Sequence, residues 1–270
     1  MQVRARIYLT NALAPYQKQL NLPKLDALAH EASAVNNIKR SKRFTVIIGN
    51  PPYSGVSSNM SEEAQHLIDP YKFVDGVALN EKKLWLQDDY VKFFRIAQLA
   101  IQNSKFGILG FISNHGYLDN PTFRGMRQNL IGTFNDINIL DLHGNTNKSE
   151  KTPEGFEDKN VFDIRQGVSI FVSAKTFRSS DSENINFSEI WGSRESKYHQ
   201  LNLGNNLKWS KLSLTSPYYF FVIRNEIGRV DYENGISVID IFPKYFSAPV
   251  TARDHFVITS VPTLGRGFVE

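Results

Sequence analysis

The sequence predicts an α/β protein built on a doubly wound sheet. Three observations carry that expectation. Apolar runs of strand length recur at residues 44–48, 106–112, 134–142 and 168–172. Apolar residues at helical spacing fill the intervals between the first three. The first three runs also end at polar corners rich in glycine or proline: Gly49-Asn50-Pro51-Pro52-Tyr53, Ser113-Asn114-His115-Gly116 and Leu142-His143-Gly144. Strand and helix in alternation give parallel strands with helices on the sheet faces.

Taken in order, residues 4–11 read as a short strand with Ile7 and Leu9 on one face. Pro15 and Pro23 bracket a polar loop, and Asp26 caps a helix running to about Arg40 with Leu28, Ala32, Val35 and Ile38 on one side. Its basic end, Lys39-Arg40-Ser41-Lys42-Arg43, suits either phosphate contact or a solvated helix terminus favoured by the macrodipole. Val46-Ile47-Ile48 is a continuous β-branched run, as in a parallel strand covered on both faces. Gly49 permits close approach of a neighbour, and Pro51 and Pro52 cannot extend the ladder. Residues 54–83 are weakly patterned, which fits a lid or a surface insertion.

A helix is predicted over 84–102, with Tyr90, Phe94, Ala97 and Ile101 at helical spacing. Asn120 caps a short helix with Pro121 at its first position. Residues 144–159 are polar, 160–167 lead into the last strand, and the charged stretch 178–184 marks a boundary between a domain of residues 1–178 and one of 179–270. In the second, Trp191, Tyr198, Trp209 and Tyr218 alternate with Arg194, Lys197, Lys208 and Lys211. That mixture suits nucleic acid, and equally a small core with a charged surface.

Composition narrows the chemistry. The 270 residues contain no cysteine, which excludes disulfides and thiolate metal sites. The six histidines form no pair at ligand spacing, so no metal is expected. No apolar run approaches a membrane span and the N-terminus is not a signal peptide, so a cytoplasmic location is expected. A net charge of +4 permits a nucleic-acid partner without requiring one.

Asn50-Pro51-Pro52-Tyr53 resembles the catalytic motif of amino-methylating transferases that use S-adenosylmethionine, most often DNA adenine-N6 methyltransferases. The chemistry suits such a corner. An exocyclic amine is a weak nucleophile because its lone pair is delocalised. Acceptors on its two hydrogens, here the Asn50 side-chain oxygen and the Pro51 carbonyl, localise that pair. Tyr53 would stack on the flipped base.

With residues 7–11, 46–55, 160–167, 235–242 and 250–254, the order resembles a γ-type adenine-N6 DNA methyltransferase, and more narrowly the single-chain type ISP restriction–modification enzymes. The resemblance implies an incomplete class I methyltransferase (Rossmann-like) sheet followed by part of a target-recognition domain, with double-stranded DNA as partner. It implies that Phe162 packs against the other face of the adenine, and that Asn11 stands where an acidic residue approaches the cofactor. The family's glycine-rich cofactor loop is not found ahead of Asn50. The Gly-x-Gly at Gly265-Arg266-Gly267 has no strand–loop–helix context. The chain is therefore expected to be a fragment, inactive alone, with the Asn50 strand left as an exposed apolar edge. Two alternatives stay open: a methyltransferase acting on protein glutamine or RNA, and an inactive truncated DNA-binding fragment. A nuclease reading of Glu195-Ser196-Lys197 fails for want of a paired acidic residue.

Overall fold

The structure is a computed structural model. It describes residues 7–8, 10–13, 33–39, 43–52, 55, 57, 59–81, 84–177, 184–204 and 207–244. Helix α1 covers residues 33–39, the described part of the helix expected from Asp26; the rest of that expectation lies outside the described residues. Of the strand expected at 4–11, the described residues Ile7, Tyr8, Thr10 and Asn11 are not in a strand, and Ile7 is exposed.

Strand β1 is Val46–Gly49. The stretch after it carries more structure than its weak pattern suggests: helix α2 (Glu62–His66), a 3-10 turn at Asp69–Lys72, and a hairpin of β2 (Phe73–Val74) and β3 (Val77–Ala78). It is docked, not loose, because Ile68 and Tyr71 are fully buried and the Tyr71 hydroxyl donates to Gln98 Oε1 at 2.8 Å. A 3-10 turn at Leu84–Gln87 precedes helix α3 (Asp89–Gln102), so the helix predicted from residue 84 begins five residues later, at Asp89, behind the N-cap position Asp88. Strand β4 (Gly107–Asn114), helix α4 (Arg124–Ile131) and strand β5 (Asp136–Asp141) follow. Asn120 Oδ1 accepts the Thr122 amide proton ahead of α4, as its cap position predicts.

Strands β6 (Val168–Lys175) and β7 (Asn184–Glu189), helix α5 (Arg194–Leu203) and strand β8 (Ser210–Lys211) complete the sheet region. The sheet has six strands in the order β1-β4-β6-β5-β7-β8. β1 pairs parallel with β4, and β5 with β7, while β6 runs antiparallel between β4 and β5. Strands β1, β4, β5 and β7 therefore share one direction, and the polar corners that end β1, β4 and β5 gather at one end of the sheet. Ligands sit at that end in open α/β sheets. The boundary expected after residue 178 falls between β6 and β7, two strands of this one sheet. The compact unit runs through Ile223, and a second unit begins at Arg224.

One face of the sheet packs under α3 and α4. Phe94, Ala97 and Ile101 of α3 and Met126 and Leu130 of α4 meet Leu109, Phe111, Ile137, Ile139 and Phe171. Arg127, also of α4, is fully buried and donates to the carbonyls of Tyr117, Asn120 and Tyr218. On the other face, Leu140, Leu142, Val161, Val168 and Ile190 form a smaller core. That core does not reach the β1 edge, which corrects the expectation of a strand covered on both faces. Val46 is 53% exposed and Ile48 82%; Ile108, the register neighbour of Val46, and Val172, which pairs with Gly110 beside Ile48, are also open. β1 is the edge strand, and its apolar face has no covering element among the described residues.

The second unit holds helices α6 (Arg229–Glu233) and α7 (Val238–Ile241), and none of its described residues is buried. No helix among the described residues is long and apolar enough to cross a membrane.

Candidate active site at the carboxyl ends of the strands

The corner after β1 is set by packing on β4. A Cβ on Gly49 would lie 2.9 Å from Phe111 Cε1, so glycine is required for the aromatic ring to sit against the strand. Immediately beyond, Asn50 is exposed, Pro51 is buried and Pro52 is exposed. The chain leaves the sheet at an exposed Asn50. Tyr53 lies outside the described residues.

The segment after the corner is tied to the start of α3. The Gly55 amide donates to Asp88 Oδ2 at 3.0 Å. Ser57 Oγ donates to Asp89 Oδ1 at 2.5 Å, and Asn59 Nδ2 donates to Asp89 Oδ2 at 3.2 Å. The fully buried Lys92 donates to Ser57 Oγ and to the Asn59 carbonyl at 2.7 and 2.6 Å. Burial raises the Asp88 pKa, opposed by amide donors that include Gly55, and lowers that of Lys92.

Asn11 joins the same network. Its Nδ2 donates to Asn59 Oδ1 at 2.8 Å, its Oδ1 accepts from Leu13 N at 3.0 Å, and its carbonyl accepts from Lys39 Nζ at 2.8 Å. The chain thus brings Asn11 to the segment that follows the corner. Each polar atom of its side chain makes one hydrogen bond to the protein, and these bonds tie Asn11 to the segment.

Phe162 lies in the connection between β5 and β6, which leaves the carboxyl end of β5. It is half-buried against the smaller core and lines an open cleft of about 630 Å³ with Asn160, Asp163, Arg165 and Arg194. Its backbone is fixed on both sides: Asn160 Oδ1 accepts the Phe162 amide proton at 2.8 Å, and Arg194 Nη2 donates to its carbonyl at 3.0 Å.

Several members of the aromatic–basic stretch serve this scaffold. Lys197 is buried, donating to Asp158 Oδ2 and to the carbonyls of Leu142 and Lys159. The Tyr198 hydroxyl donates to the Val161 carbonyl, and Trp191 stacks on His143 with ring centroids 3.3 Å apart. Of the two readings of that stretch, these residues support the core.

A constellation that histidine spacing missed stands at the ends of β4 and β5. His115, the first residue after β4, meets Asp141, the last of β5, with Nδ1 3.0 Å from Oδ1. Asp141 Oδ1 also accepts the His143 amide proton at 2.9 Å, and His143 Nε2 lies 3.2 Å from Glu189 Oε2. His143 sits at φ +52°, a left-handed conformation uncommon outside glycine, held by that amide bond. Burial raises the Asp141 pKa, but the His115 hydrogen bond and the charges of both imidazoles carry it below the usual carboxylate value. Burial lowers that of His115, and the hydrogen bond to Asp141 together with the charges of Asp141 and Glu150 outweighs the loss and leaves it raised. Each histidine stands in the polar corner that ends an apolar run; that position, and not the spacing between them, was the available signal.

Residues 6–148 match the family described as Eco57I restriction-modification methylase. Among solved structures, the chain is similar to the ATP-dependent type ISP restriction-modification enzyme LlaBIII bound to DNA, with TM-score 0.63 and 24% identity over 81% of this chain. It is similar to a nuclease-deletion mutant of the type ISP enzyme LlaGI in complex with a DNA substrate mimic, with TM-score 0.62 and 23% identity over 81% of this chain. Similarity to DrdV in a DNA complex has TM-score 0.57 and 23% identity over 72% of this chain. The chain spans 15%, 18% and 19% of those three chains respectively. No curated protein matches it.

Proposed function

The chain belongs to the Eco57I restriction-modification methylase family, and from that premise we propose that it forms the base-receiving part of a DNA adenine-N6 methyltransferase. The substrate is an adenine flipped out of double-stranded DNA. The observation that carries this reading is the corner itself: Asn50 stands exposed at the carboxyl end of β1, followed by a buried proline that fixes the turn.

In this reading Asn50 Oδ1 and the Pro51 carbonyl accept the two hydrogens of the adenine amine and draw its lone pair out of conjugation. Tyr53 and Phe162 hold the purine between their rings. S-adenosylmethionine, when bound, supplies a sulfonium methyl, and the amine gives up one proton to solvent as its new N–C bond forms. Orientation, more than basicity, is what these residues contribute. The network of Asp88, Asp89 and Lys92 keeps the segment behind the corner in place. Asn11, held by Asn59 and Leu13 in the same network, is assigned to the cofactor side of the site, where its Oδ1 keeps a second lone pair. Residues 179–270 are assigned, from β7 onward, to the start of the region that reads the DNA sequence.

Transfer of a labelled methyl group tests the reading. In the active enzyme, Asn50→Ala abolishes incorporation into adenine-containing duplex while DNA binding persists. Wild-type turnover in that variant excludes the mechanism. Label appearing in protein or RNA, and not in duplex DNA, moves the same corner to a different amine.

A further inference from the structure

The histidine cluster at the ends of β4 and β5 is not used by the proposed chemistry, and its hydrogen bonds have a particular sense. Each imidazole meets a carboxylate with one nitrogen: His115 Nδ1 with Asp141 at 3.0 Å, and His143 Nε2 with Glu189 at 3.2 Å. A carboxylate that takes one ring N–H fixes the neutral tautomer and leaves a lone pair on the other nitrogen. Metal-binding histidines are oriented in this way.

The second nitrogens turn toward a shared space. One donor atom from each of His115, His143 and Glu150 lies within 4.8 Å of the other two. His143 Nδ1 is buried without a hydrogen-bond partner. Its neighbours, Asp141 Oδ2 at 3.6 Å and Glu150 Oε2 at 4.0 Å, are too distant for hydrogen bonds. Two ligands of one small cation stand roughly 3.3 Å apart at tetrahedral geometry, and farther at wider angles. The imidazole of His143 is nine-tenths buried and clamped by Trp191. Glu150 is oriented by the Asn145 amide, which donates to its Oε2 at 2.8 Å.

We propose that His115 Nε2, His143 Nδ1 and the Glu150 carboxylate bind one divalent transition-metal ion. Two neutral imidazoles with one carboxylate are the donor set of zinc. Asn145 Nδ2 lies 3.2 Å from His115 Nε2. On metal binding this amide turns over and offers its oxygen, or yields the fourth position to water. The ion ties the end of β4 to the end of β5 and to the 145–150 segment, beside the catalytic corner and outside the methyl transfer itself.

The test uses the full chain, free of tag histidines and stripped with chelator. Calorimetric titration with zinc chloride gives one equivalent per chain, and cobalt substituted at the site gives visible absorption bands. Glu150→Gln, a change at the cluster's rim, removes stoichiometric binding with the circular dichroism spectrum unchanged. Glu189→Gln, which touches only the far nitrogen of His143, weakens affinity on the order of 10–100-fold. No zinc uptake by the wild type at about 100 µM, or equal affinity in wild type and Glu150→Gln, overturns the proposal. Either result leaves the cluster as a hydrogen-bonded tie between the ends of β4 and β5, and leaves the reading of Asn50 untouched.

Discussion

The Asp88 carboxylate accepts the amide proton of Gly55 at 3.0 Å, across 33 residues of sequence. This one bond joins the segment behind the Asn50 corner to the first turn of the helix that packs beneath it, so the corner and the core are mechanically continuous there.

Removing the acceptor frees the segment. Asp88→Ala costs about 1 kcal/mol and speeds hydrogen exchange at the Gly55 amide; unchanged exchange there means the bond does not hold the segment. Burial sets the pH dependence. The unfolded carboxyl titrates near 3.8 and the folded one higher. Between the two values the native chain binds a proton that the unfolded chain lacks. Stability from this group therefore falls as pH rises through the window, and is level above it. Asp88→Asn is neutral throughout and lacks that slope, so urea denaturation at rising pH shows the stability difference moving in favour of the variant.

The buried pair of Lys197 and Asp158 is a second sensitive point. Both side chains are fully buried, 2.8 Å apart, and Asp158 Oδ1 also accepts the Gly192 amide proton. Asp158→Ala strands the ammonium in the core at a cost of about 3–5 kcal/mol. The double change Lys197→Met with Asp158→Asn costs less than Asp158→Ala alone, because no unpaired charge remains. A single-variant cost below about 1 kcal/mol in urea denaturation contradicts this.

Gly125 reverses the usual rule for glycine in helices. On an open helix Gly→Ala gains up to about 1 kcal/mol. Here the added carbon would stand 2.3 Å from the Tyr71 carbonyl oxygen and 2.4 Å from that of Phe73, both backbone. Gly125→Ala is therefore predicted to destabilise by about 3 kcal/mol and to lift the α2–β3 segment from α4, read as faster proteolysis within residues 60–80. A stabilised variant rules out that docking.

The open apolar edge predicts self-association. Val46→Thr with Ile48→Thr removes two exposed β-branched apolar side chains and leaves stability within about 0.5 kcal/mol per substitution. Light scattering of the wild type grows with concentration, and that of the variant does not. Equal scattering by both would place the association elsewhere.

Much of this was legible in the residues. Continuous apolar runs located β1, β4, β5 and β6, and Gly49 announced the close approach that Phe111 makes. The exposed edge at β1 was expected because no Gly-x-Gly stands ahead of Asn50, although the same run read in isolation suggested a strand covered on both faces. Direction was not legible: an apolar run carries no sign, so nothing marked β6 as the reversed strand inserted between β4 and β5. The docked segment with α2 and the β2–β3 hairpin escaped because its anchors, Ile68 and Tyr71, are isolated apolar residues without a period. The meeting of His115 with His143 depends on where two corners converge in space, which spacing along the chain does not encode.

The position of β6 has a consequence for how the sheet assembles during synthesis. β4 and β5 emerge first, yet neither pairs with the other; each waits for a strand made later, ending at Lys175. Until that strand leaves the ribosome, β4 can close only on β1, and β5 has no hydrogen-bonding neighbour within the nascent chain. Such non-local closure slows folding and leaves the emerging half exposed to aggregation, so a chaperone that holds nascent chains should raise its soluble yield.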